Sequence, residues 1–157
     1  ALAELRGYAN LNEAFHQTAP SPEGTGALRA MREALKRGSL APDAVDYINA
    51  HGTGTENNDL SEGMALQSLF GQRVPPFSST KPYTGHTMAA AGSIEAVFCL
   101  MALEHGVIFP NINFREPMKE LRIRPVTELK RAVALTHILS NSFGFGGGTA
   151  SLLFSKC

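Results

Sequence analysis

Val45-Asp46-Tyr47-Ile48-Asn49-Ala50, running straight into His51-Gly52-Thr53-Gly54-Thr55, is the stretch on which the fold turns. A short apolar run that ends in a glycine-bearing loop predicts a buried strand with a histidine at its tip. Asp59 then stands as the N-cap of a helix from Leu60 to Phe70, with Met64, Ala65 and Leu69 on one side. Strand, loop and helix in that order are the unit of an α/β fold.

The same pattern extends in both directions. Residues Glu4 to Phe15 read as extended structure. Glu23 to Arg37 reads as an amphipathic helix with Leu28, Met31 and Leu35 on one face and Gly38 as its stop. Downstream, a short strand near Phe77 leads into a second loop, Ser79-Thr80-Lys81-Pro82-Tyr83-Thr84-Gly85-His86. Ser93 to His105 is apolar nearly all round, which predicts a helix buried on every side. Such a helix needs a layer on both sides, more than this chain alone is expected to supply. Asn111 to Pro125 is a long, proline-marked loop. Ala132 to Asn141 and Thr149 to Phe154 read as two strands joined by Phe143-Gly144-Phe145-Gly146-Gly147-Gly148. Being so close in sequence they pair antiparallel, so the sheet is expected to be mixed.

Composition narrows the classes. A chain of 157 residues, 43% hydrophobic and 18% charged, holds one domain with a core of its own and is too apolar for disorder. Fourteen basic residues cancel fourteen acidic ones, so nothing points to nucleic acid or a membrane surface. The Ser93–His105 segment is too short to span a bilayer. Two cysteines, Cys99 and Cys157, do not make a disulfide framework and favour a reducing, cytoplasmic setting. The chain opens Ala1-Leu2-Ala3-Glu4, with no signal-peptide pattern, and reads as a piece of a longer chain.

His51 and His86, each at the end of a strand-like run, are the candidate chemistry. A lone loop histidine is more often structural, but two in matching settings favour a site. Two neutral imidazoles can direct two N–H donors at one developing oxyanion. Lys81 would keep His86 neutral, and its own partner is Glu62 or Glu95, unless both are plain exposed helix residues. Thr53 and Thr55 either hold a polar substrate arm or cap the next helix. Phe143 and Phe145, set among glycines, must be packed or functional, and backbone N–H groups there can face an oxyanion. His51, Asp59, Glu62 and His86 include metal-ligating types but lack any metal-site spacing, so no resident metal is expected. The Gly52-Thr53-Gly54 run does not continue as a dinucleotide fingerprint. No nucleophile is present: Cys99 lies within the apolar helix, Cys157 is the last residue, and no Gly-x-Ser-x-Gly elbow appears.

Taken together, Tyr47–Thr55, Ser79-Thr80-Lys81 through Gly85-His86, Ala90-Ala91-Gly92 and Asn141–Gly147 resemble the C-terminal half of the β-ketoacyl-[acyl carrier protein] synthases, in order and over essentially residues 1–157. The elongating condensing enzymes are the nearest type. The resemblance implies the thiolase-like layered αβαβα fold, of which this chain would supply one half, a mixed sheet flanked by helices. It implies decarboxylative Claisen condensation of malonyl-acyl carrier protein with an acyl thioester on a cysteine. His51 and His86 match the two histidines that donate to the malonyl thioester oxygen, and Lys81 matches the lysine that supports the second. Thr53 and Thr55 match positions that bind the phosphopantetheine arm. Phe145 matches the gating phenylalanine whose N–H joins the oxyanion hole, and Glu62 and Glu95 match supporting acidic positions.

The implied partners are acyl carrier protein, an N-terminal half of about 250 residues carrying the cysteine, and a second subunit in a homodimer. No cofactor is implied beyond the carrier's own phosphopantetheine. Glu56-Asn57-Asn58-Asp59 lacks a lysine often found after the aspartate, and Gly148-Thr149 replaces a more usual Thr-Asn. The pathway, whether fatty acid, polyketide or aryl polyene, stays open. A non-catalytic partner subunit of the chain-length-factor kind is the alternative, and a metal-dependent hydrolase a third reading. Alone, the piece is expected to be inactive and poorly soluble.

Overall fold

Side chains alternate across a strand, so one residue of each neighbouring pair serves each face of a sheet. In the computed structural model, which describes all residues from Ala1 to Cys157, that alternation builds two separate cores on one sheet. The strands are β1 (Ala3–Asn12), β2 (Tyr47–Asn49), β3 (Phe77–Ser78), β4 (His137–Phe143) and β5 (Gly148–Lys156). They lie in the order β1-β5-β4-β2-β3. β2 runs parallel to β3 and β4, while β5 runs antiparallel to β4 and β1, so the sheet is mixed as expected.

Helices α1 (Thr25–Arg37) and α2 (Glu56–Phe70) cover one face, where Met31, Leu35 and Leu66 meet Ile48, Leu139 and Leu153. The single turn α3 (Lys81–Thr84) lies in the second loop, and helix α4 (Ala91–His105) covers the other face. There Cys99, Ala102 and Leu103 meet Tyr47, Ile138 and Phe154. Ala27, Ala30 and Ala34 leave α1 without bulk where it approaches the sheet.

Boundaries moved where local chemistry overrode pattern. α2 begins at Glu56 because Thr55, with extended backbone, accepts the Asn58 N–H through its hydroxyl at 3.3 Å. Asp59, expected as the cap, sits one turn inside. β4 begins at His137, not Ala132, because Ala132 takes a positive φ of 53° and the Val133 N–H turns to Gly106. α4 is buried on one face only: Glu95, Cys99 and Ala102 are enclosed, while Val97 is 55% and Met101 40% exposed. The apolar pattern reports what the helix is made to bury, and the sheet covers one side of it. With the 3₁₀ turn Met88–Ala90, α4 forms an 18-residue unit of mean hydropathy 1.3, reaching the spanning length that the sequence estimate denied it. Its inner face packs on the sheet and holds the buried Glu95.

Glu13 ties the end of β1 to α1 and to the β4–β5 loop. Its carboxylate accepts from the Ser21 hydroxyl (2.6 Å), the Gly26 N–H (2.8 Å), the Ser21 N–H (3.2 Å) and the Thr25 hydroxyl. Burial alone would raise its pKa, but these hydrogen bonds outweigh burial and hold it below the usual carboxylate value. Its own N–H donates to Gly147 O at 2.7 Å. Gly147, at φ 84°, is required there, since a Cβ would lie 1.8 Å from Glu13 O.

Glu13→Ala strands several buried donors and is expected to cost about 1–3 kcal/mol at pH 7. Because the folded-state pKa is depressed, this contribution is full above the unfolded value and disappears as pH falls through the folded one. Urea unfolding of the intact protein at pH 7 and pH 3 checks this: the gap between wild type and variant narrows at the lower pH.

Candidate functional site

Strand β2 delivers His51 to its tip, and a helix carboxylate holds it there. Glu62, on α2, accepts the His51 N–H at 2.9 Å and the Gly52 N–H at 3.0 Å. Asn141 Nδ2 donates to the same carboxylate at 3.1 Å. Burial pushes the Glu62 pKa up, and these donors together with Lys81 oppose the rise. Gly52 turns at φ 47°, where a Cβ would stand 2.5 Å from the Ser79 Cβ. The two histidine loops therefore touch backbone to side chain, and no larger residue fits between them.

The second loop folds Lys81 back beneath the first. Its ammonium donates to Glu95 in a buried ion pair, to the backbone oxygen of His51, and to His51 Nδ1 at 3.3 Å. The sequence left Glu62 and Glu95 open as partners. The structure assigns Glu95 to the ion pair and Glu62 to the loop backbone. It also corrects the expected role of Lys81, which lies against the first histidine rather than supporting the second. The turn of α3 carries its side chain inward while His86 continues outward.

The imidazoles of His51 and His86 come within 5.6 Å, centroid to centroid, edge to face at 84°. Their tautomers follow from their partners. An ammonium only donates, so His51 Nδ1 accepts from Lys81 and the ring proton sits on Nε2. His86 Nδ1 accepts the Met88 N–H at 3.2 Å, so its proton also sits on Nε2. Burial, then the Lys81 charge, then His86 push the His51 pKa down to about 3. The pair is thus two neutral N–H donors, one enclosed and one exposed. Phe143 packs on His51 with centroids 5.3 Å apart.

A cleft of about 570 Å³ opens beside them, lined by Thr53, Asp59, Glu62, Lys81 and His86 on one side and by Met118 and Leu121 of the long loop on the other. Thr55 stands outside its lining; its hydroxyl caps α2 and lies 3.2 Å from that of Thr53. Phe145 is 83% exposed on a loop held by Asn12, Glu13 and Gln17. Cys99 is enclosed in the lower core, its thiol pushed up to about 12 by burial, and is no nucleophile. No group of three or more His, Cys, Asp or Glu side chains is arranged around a common point. Sequence reasoning passed over Asn141 and Ser151 as contributors, although Ser140-Asn141-Ser142 interrupts an apolar strand with three polar residues, a signal for buried polar contacts.

Comparison with known proteins identifies the family. Residues 2–115 match the family described as beta-ketoacyl synthase, C-terminal domain. The 3-oxoacyl-[acyl-carrier-protein] synthase 2 of Synechocystis is 44% identical over 155 residues, covering 98% of this chain and 37% of that protein. The mitochondrial 3-oxoacyl-[acyl-carrier-protein] synthase of Arabidopsis thaliana is 42% identical over 160 residues, covering 98% and 34%. Among solved structures, a ketosynthase from Xenorhabdus doucetiae in complex with its chain length factor superposes with a TM-score of 0.89 at 35% identity, covering all of this chain and 40% of that one. A type II polyketide ketosynthase in complex with its acyl-carrier protein gives 0.94 at 31% identity, covering 99% and 39%. The chain spans little more than a third of the length of these curated relatives.

Two outcomes follow from the site's electrostatics. In the intact protein, the ring nitrogen shifts of His51 are expected to stay those of a neutral Nε2–H tautomer from pH 8 down to pH 5, measured by ¹⁵N NMR. Glu95→Gln leaves the Lys81 ammonium buried without its counter-charge, a loss of about 3–5 kcal/mol in a denaturant titration. The double variant Lys81→Met/Glu95→Leu is expected to be more stable than Glu95→Gln alone.

Proposed function

Because this chain belongs to the β-ketoacyl synthase C-terminal domain family, we propose that it is the oxyanion-binding half of a condensing enzyme that joins malonyl-acyl carrier protein to an enzyme-bound acyl thioester by decarboxylative Claisen condensation. The observation that carries the reading is the pair of Nε2–H imidazoles that two separate loops bring within 5.6 Å of one another, beside a cleft that His86 lines.

The first step is acyl transfer to a cysteine of the other half, a sequence this chain does not contain. The carbonyl oxygen of that intermediate is held by backbone N–H groups, Phe145 on this side among them. Malonyl thioester then enters with its carbonyl oxygen toward His51 and His86. Breaking the bond to the carboxylate releases carbon dioxide and leaves its electron pair in an enolate, whose oxygen the two Nε2–H groups stabilise. No base is needed, because the pair comes from the broken C–C bond. The enolate carbon attacks the acyl thioester, the new C–C bond forms, and the cysteine leaves as thiolate.

The other residues act around this centre. Lys81 holds His51 neutral and correctly protonated; Glu95 balances Lys81; Glu62 fixes the His51 backbone. Thr53, whose side chain lines the cleft, would bind the amides of a phosphopantetheine arm. Thr55 shares its hydroxyl with the helix cap. Phe143 walls His51, and Phe145, on its exposed loop, would gate entry. The substrate arm arrives on acyl carrier protein, and the enzyme is read as a homodimer of two-half chains in a reducing, cytoplasm-like compartment, with no resident cofactor. A cysteine at the nucleophile position of the other half favours the catalytic reading, and a replacement there favours a non-catalytic chain-length-factor partner. By itself the chain has no nucleophile and forms no acyl-enzyme.

In the complete synthase, His51→Ala or His86→Ala is expected to slow malonyl decarboxylation by about 10²–10³ each. Near-normal rates, followed as carbon dioxide release, would overturn the donor roles.

A further inference from the structure

The polar run Ser140-Asn141-Ser142 of β4 lies in the sheet's interior, and its middle residue faces the α1 and α2 side. Across the antiparallel ladder Asn141 is the register partner of Ser151 on β5. Both are fully enclosed. The Ser151 hydroxyl donates to Asn141 Oδ1 at 2.8 Å, and Asn141 Nδ2 donates to Glu62 Oε1 at 3.1 Å while touching Met31 Sδ at 3.4 Å. That same Glu62 oxygen accepts the His51 N–H, and its second oxygen accepts the Gly52 N–H.

A side-chain amide can present either its oxygen or its NH₂ to a neighbour. Reversed, Asn141 would set an amide oxygen against the Glu62 carboxylate. The acceptor-only carboxylate therefore draws Nδ2 to itself, and the Ser151 hydroxyl, donating to Oδ1, braces the far end of the amide in that orientation. The register of β4 on β5 thereby reaches the tip of β2 through three side chains.

We infer that Ser151 and Asn141 are positioning residues for the His51 donor: the hydroxyl braces the amide, the amide holds the Glu62 carboxylate, and the carboxylate holds the backbone of the histidine loop. This rests on the condensing-enzyme reading, since it concerns where His51 Nε2–H points. A shift of about 1 Å in a catalytic group costs up to about 10² in rate, so a small loosening of Glu62 is felt at the enolate oxygen.

The test uses the complete synthase with Ser151→Ala and Ser151→Cys, the second keeping the volume but offering only a weak donor. Both variants are expected to lower kcat for malonyl decarboxylation by about 10- to 100-fold. KM and the rate of acyl loading onto the cysteine, a step that does not use His51, stay at wild-type values. Wild-type kcat in both variants, or an equal loss in decarboxylation and loading, overturns the inference. His51→Ala run in parallel separates the two levels. If it leaves decarboxylation intact, the condensing reading itself fails; if it abolishes decarboxylation while the Ser151 variants do not, only the positioning role fails.

Discussion

Three ionisable side chains from three elements are enclosed between one end of the sheet and its helices, and their mutual compensation sets the shape of the site. Glu62 comes from α2, Lys81 from α3 and Glu95 from α4. Each would be costly to bury alone. Glu95 and Lys81 neutralise one another, and Glu62 is met by two backbone N–H groups and an amide. The compensation works in one arrangement only, with both histidine loops in contact and Gly52 against Ser79. Removing any one group leaves another unsatisfied, so the cluster acts as a lock on loop geometry more than as a source of stability.

The scaffold around that lock is lopsided, for a physical reason. The α1 and α2 side of the sheet is filled by a twelve-residue core, while α4 covers the other side with eight and leaves its outer face open. The chain spans little more than a third of its relatives' length, and an apolar face of α4 carrying Val97 and Met101 stays exposed.

Much of this was legible in the residues. The strand within Val45–Ala50, observed as Tyr47–Asn49, the amphipathic α1 and His51 just past a strand end follow from apolar period and glycine position; His86, expected at a strand end, lies instead beyond the turn α3, and the structure brings the two rings together. The motifs also carried the family. What remained hidden was decided by contacts between residues distant in sequence. Nothing local distinguishes Glu62 from Glu95 as the partner of Lys81; the assignment depends on α3 turning back under the first loop. Nothing local makes Thr55 a better cap than Asp59 until the backbone around Gly54 is known. The start of β4 was missed because Val133 and Leu135 keep a strand-like rhythm through a segment whose backbone is diverted at Ala132. Glu13, an unremarkable acid at the end of an extended run, takes its importance from Ser21 and Gly26, which pattern alone does not bring near it.

The protonation state of the histidines ties this geometry to the proposed chemistry. An enolate carbon freed by decarboxylation can either attack a thioester or pick up a proton. A charged imidazolium beside it would favour the second, ending in an acetyl thioester in place of a new C–C bond. His51 avoids that state twice over: burial removes the water that would solvate a charge, and the Lys81 ammonium at 3.3 Å occupies the nitrogen where a second proton would go. A lysine beside a histidine would often be read as a proton source. Here its charge is already satisfied by Glu95, and its remaining effect on the ring is to keep Nδ1 an acceptor. His86, exposed in this chain, obtains the same tautomer from the Met88 N–H. Two different devices, one electrostatic and one a local turn, thus produce identical Nε2–H donors, which is what a single oxygen with two lone pairs requires.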